Sequence, residues 1–169
     1  MRWLPVVLVL VFALLALAVW IGAGLTALLS PELVLVILGA LGFGLFAFKL
    51  LTTYTAVLLA ADRFLSGQPV DKKELAAKTS KETASEEPLF ALLALLMASV
   101  EPYRYAYYLA FALLLLLTLA AVLTPWNDQF KANLEALFWG SALTTFFVWA
   151  FESFASAAVG EVADRERSS

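Results

Sequence analysis

Two ionisable residues stand inside stretches that are otherwise free of charge: Lys49 within residues 33–61, and Glu152 within residues 136–160. A lysine and a carboxylate at membrane depth can pass protons or ions along a path, or they can neutralise each other as a buried ion pair. Lys49 precedes Asp62 by thirteen residues (62 − 49), about 20 Å along a helix. An isolated charge that deep costs about 2.5–3.5 kcal/mol on insertion scales. Glu152 is the acid available within the apolar stretches, so an intramembrane Lys49–Glu152 pair is expected. Steps of three and four from Lys49 reach Thr52 and Thr53, and those from Glu152 reach Ser141, Thr145 and Ser156. Small and hydroxylated residues allow close helix approach and interhelical hydrogen bonds, so these five are expected on polar packing faces.

Other chemistry has little to work with. The chain has no histidine and no cysteine. Thiolate nucleophiles, iron–sulfur ligation, imidazole ligands and Ser-His-Asp or Cys-His sets therefore cannot come from its own residues. No catalytic residue, metal ligand or cofactor is expected. The net charge of −3 gives no electrostatic footprint for nucleic acid.

The elements that must carry Lys49 and Glu152 follow from composition. Of 169 residues, 63% are hydrophobic and 15% charged, against about 25% charged in soluble domains. Residues 3–31 and 105–127 carry no charge. Each of the four stretches exceeds the roughly 20 residues that cross a hydrocarbon core. They are continuous rather than alternating, which argues against barrel strands. The fold expected is an all-α integral membrane protein, a bundle of four transmembrane helices at about 3–29, 32–61, 103–124 and 134–160. The first run is longer than the 7–15 apolar residues of a signal peptide, so it is expected to be a retained helix.

Two hairpins, 1–61 and 103–160, flank a linker at 62–102, and a charged tail covers 161–169. A short polar helix is expected in the linker, where Glu74, Lys78 and Glu82 follow at four-residue spacing. The apolar run Leu89–Val100 is too short to span. A helix over about 88–100 is expected at the membrane surface, packed against protein. The hairpins invite comparison as a tandem repeat, since "TAVLLAADR" (55–63) resembles "AAVGEVADR" (157–165) at an offset of 102. Leucine- and alanine-rich helices align easily, so the alternative is chance similarity.

With the N-terminus cytoplasmic, nine basic residues fall on that side (Arg2, Arg63, Lys72, Lys73, Lys78, Lys81, Arg104, Arg165 and Arg167) against Lys131 outside. The positive-inside rule then places both termini in the cytoplasm. "YRYAYY" (103–108) reads as an inner interface belt, with Tyr103, Arg104 and Tyr107 as candidate contacts to a lipid headgroup. The function expected is non-catalytic: an accessory or scaffold subunit of a larger membrane complex or a homo-oligomer. Its partners would be the bilayer and other membrane subunits or further copies. The alternative is a small ion or proton channel or transporter that uses Lys49 and Glu152.

Overall fold

The computed structural model describes residues 14, 17, 18, 21, 33–79 and 87–168, with side chains from Ile37 onward in the first long stretch. The described residues are helical with short connections and contain no strand. The five helices are α1 (Leu33–Leu65), α2 (Lys72–Thr79), α3 (Leu89–Ser99), α4 (Glu101–Leu123) and α5 (Asp128–Ser168). The expected helix at about 3–29 lies outside the described residues, apart from Leu14, Leu17, Ala18 and Ile21. These four are helical and exposed, at the spacing of one helix face.

Each break has a local cause. α1 stops at Gly67, whose φ of 71° suits glycine. The Gln68 N–H donates to the Arg63 carbonyl at 2.8 Å and the Gly67 N–H to the Phe64 carbonyl at 3.0 Å, the pair of bonds that closes a Schellman turn. Asp71 then starts α2, its carboxylate accepting from the N–H groups of Lys73 and Glu74. Only Val100 separates α3 from α4. Pro102 has no N–H and its ring would strike the carbonyl of Ala98 in a continuous helix, so the chain breaks there and restarts. The Arg104 N–H donating to the Val100 carbonyl begins the new helix. Pro125 disfavours helix at Thr124. Asn127 then caps α5 through the Gln129 N–H.

Three helical stretches are long and apolar enough to cross a membrane: Ile37–Leu65, Leu89–Leu123 and Asp128–Ser168. α5 has 41 residues, about 60 Å, roughly twice a hydrocarbon core.

Contacts divide the chain into two units. The first comprises Met1–Phe48 and Tyr105–Val148. Its buried residues include Phe43, Ala47, Tyr107, Leu114, Leu137, Phe147 and Val148. Phe43 meets Tyr107 edge-on, and Phe111 stacks on Phe138 with centroids 5.9 Å apart. Exposed side chains along its helices are apolar: Leu38, Leu41, Leu45 and Phe48 on α1, Leu109, Leu113, Leu116 and Leu119 on α4, Trp139 and Phe146 on α5. Its exposed polar residues gather around the α4–α5 connection, from Thr124 to Glu135.

The second unit comprises Lys49–Arg104 and Trp149–Ser169. Its core is Leu50, Tyr54, Val57, Leu75, Leu89, Leu92, Leu93, Leu96, Val100, Phe151, Ala155 and Val162. α3 buries residues 89, 92, 93 and 96, one helical face, and α2 packs against it. The surface here is mainly polar or small, with Lys49, Thr52, Asp62, Arg63, Lys73, Glu74, Glu101, Ser153, Glu161 and Asp164 all exposed.

Candidate functional site

The charged centre lies in the second unit. Glu152 accepts a hydrogen bond from the Arg104 guanidinium, Nη1 to Oε1 at 2.5 Å. Arg104 also reaches Glu101 at 3.4 Å, one turn earlier on α4. α4 positions the guanidinium because its restart after Val100 places Arg104 in the first turn. This corrects the expected Lys49–Glu152 pair. Lys49 is exposed, and among the described residues no carboxylate lies within ion-pair distance of it. A lysine–glutamate pair could trade a proton between its members. An arginine keeps its charge, so Arg104 and Glu152 have no proton to trade between them.

The expected headgroup contacts separate. Tyr103 is exposed, Arg104 is shared between two carboxylates, and Tyr107 is fully buried in the first unit. The Tyr107 hydroxyl lies 3.0 Å from Thr145 Oγ1. Tyr107 is therefore a packing residue, corrected from a lipid contact, because its side of α4 faces α5.

Of the five expected packing residues, Thr145 makes the interhelical bond to Tyr107. The hydroxyls of Thr52 and Thr53 donate to the Lys49 carbonyl within their own helix. Ser141 is fully buried with its hydroxyl unpaired, and Ser156 is exposed.

Sequence reasoning missed two neighbouring residues on α5. Glu166 accepts from the Leu89 N–H at 2.6 Å and from the Phe90 N–H at 3.2 Å. Arg165 donates to the Leu65 carbonyl at 2.9 Å. A carboxylate thus holds the N-terminus of α3 and a guanidinium the C-terminus of α1, each matching the sign of the helix end. Pro88 was the available signal. It precedes α3 and offers no capping side chain, so the first N–H groups need an acceptor from elsewhere.

The first unit also holds an apolar cleft of about 280 Å³, lined by residues such as Gly39, Gly42, Phe43, Leu113, Leu117 and Leu137. Its lining has no side chain suited to acid–base or nucleophilic chemistry. Among the described residues no group of His, Cys, Asp and Glu is arranged to hold a metal ion.

No family model and no solved structure matches the chain. A protein of Aquifex aeolicus (strain VF5), described as uncharacterized, is 38% identical over 152 residues, which span 86% of this chain and 85% of that protein. Identity of that extent covers both helical units, and the chain belongs to the same family as the Aquifex aeolicus protein.

Proposed function

We propose that this is a non-catalytic membrane protein, an accessory or scaffold subunit of a larger membrane complex or homo-oligomer. The first unit is its membrane-embedded part. With the apolar segment at about 3–29 it makes a four-helix bundle, and both termini face the cytoplasm. The observation that carries the reading is how four charged side chains of the second unit are used. Arg104, Glu152, Arg165 and Glu166 all bond across elements within the second unit. The acid that a conduction path would need, Glu152, is engaged by an arginine. That arrangement favours a cross-linked structural unit over a site of turnover.

The experiment is gentle purification of the full chain from its own membranes, with mass measurement of what migrates with it. A stable assembly with other membrane proteins, or a defined homo-oligomer that is silent in proton and ion flux assays, is the expected result. A homogeneous oligomer that passes protons or current in liposomes contradicts the reading.

A further inference from the structure

The apolar cleft of the first unit is drawn out along its helices. Its walls run from Leu38 to Phe46 on α1, Ala110 to Leu117 on α4 and Phe130 to Leu137 on α5. At 1.5 Å per residue these lengths are about 12, 10 and 10 Å. All three walls belong to helical stretches long and apolar enough to cross a membrane. Two lining residues, Leu38 and Leu113, are exposed and continue the outward apolar surface of Leu41 and Leu116, whereas Leu114, Leu134 and Leu137 are buried. Gly42 keeps the cleft open. Gly39 has Leu137 against it, but a Cβ at Gly42 would meet nothing within 4 Å. A glycine weakens a helix relative to alanine, and no neighbour requires one at this position.

We propose that this cleft is a binding site for one acyl chain of a bilayer lipid. Its volume of about 280 Å³ decides between occupants. One turn of helix, 10 Å across and 5.4 Å long, fills about 400 Å³, so a partner helix does not enter. A benzene-sized guest suits a cavity of about 150 Å³ and would leave the rest empty. An unbranched chain lying along the helices fits both the volume and the length. Water is a poor occupant, because an apolar cavity without polar partners stays dry and takes apolar guests. The cleft is continuous with the outward apolar surface at Leu38 and Leu113, so the chain enters sideways from the surrounding lipid. The proposal rests on the membrane placement of the first unit but not on the subunit role, so the two can fail separately.

The test uses the full chain in phosphatidylcholine vesicles that carry a trace of the same lipid with a diazirine midway along one acyl chain. After illumination, adducts are mapped by peptide mass. They are expected on the exposed Leu109, Leu116 and Leu119, which any surrounding lipid reaches, and also on the buried Leu114, Leu134 and Leu137. Gly42→Leu fills the cleft and should lose the second set while keeping the first. Ala110→Leu, from the α4 wall, should do the same. The first set without the second in the wild type overturns the proposal, and so does a second set that persists in both variants. Absence of both sets overturns the membrane placement with it. A wild-type homodimer that shields the second set and dissociates in Gly42→Leu also overturns the proposal and assigns the cleft to a second copy.

Discussion

Glu152 and Arg104 are joined by a hydrogen bond of 2.5 Å between side chains that are 18% and 29% exposed. The bond ties the start of α4 to α5 within the second unit. Glu101, one turn earlier on α4 and half exposed, shares the same guanidinium. The acid that stands out in the sequence among apolar residues thus links α5 to α4 through an arginine.

The cap on α3 can be removed without touching its core. Glu166→Ala leaves the Leu89 and Phe90 N–H groups without their acceptor. It should cost about 0.5–2 kcal/mol, the range for losing a helix cap. Hydrogen exchange should quicken at the first amides of α3 and remain slow in α4. Glu166→Gln, which keeps an oxygen acceptor, should lose less. Unchanged exchange at residues 89–90 in Glu166→Ala would show that the cap does not hold the helix.

Three glycines separate backbone need from space. Gly67→Ala should destabilise by about 1 kcal/mol, because a φ of 71° strains any residue with a Cβ. A Cβ at Gly42 meets nothing within 4 Å. Gly42→Ala should therefore stabilise α1 by up to about 1 kcal/mol through helix propensity. Gly39→Ala gains the same propensity but brings a Cβ to 3.1 Å from Leu137 Cδ2, so it should fall between the two. Melting temperatures in one detergent check the order.

Tyr107→Phe removes the hydroxyl that meets Thr145 and keeps the ring against Phe43. The expected loss is about 0.5–1.5 kcal/mol, the net worth of one hydrogen bond. Thr145 still donates to the Ser141 carbonyl, so it is not left unpaired. Selection among lipid headgroups should not change, because the Tyr107 ring is buried. A change in that selection would restore Tyr107 as a headgroup contact.

The sequence made the membrane helices legible because long charge-free runs have few other solvents. It made their ends less legible. α5 starts at Asp128, six residues before the expected 134, because Asn127 caps it. It also runs through the charged tail to Ser168, where Glu161, Asp164, Arg165 and Arg167 occupy exposed positions. The partner of Glu152 was misread for a physical reason. Counting depth from Asp62 treats residues 49–61 as facing lipid. Leu50, Tyr54, Val57, Ala60 and Ala61 instead fill the core of the second unit. Hydropathy cannot tell lipid from protein interior, and depth along a helix does not say which basic residue faces Glu152 across the fold. Arg165 and Glu166 read as an ordinary solvated tail, and only the tertiary fold brings them to helix ends 100 and 77 positions away.

The central claim is that Glu152 works as a structural clamp with Arg104. A double-mutant cycle tests it most directly, with unfolding of Arg104→Met, Glu152→Met and the double variant measured in one detergent. Each single change should cost about 1–3 kcal/mol, since it leaves a partly buried charge without its partner. The double variant should recover at least about 1 kcal/mol of the sum. Lys49→Met should lie within about 0.5 kcal/mol of the wild type and show no coupling to Glu152→Met. Coupling of Glu152 to Lys49, or additive effects at Arg104 and Glu152, would contradict the account.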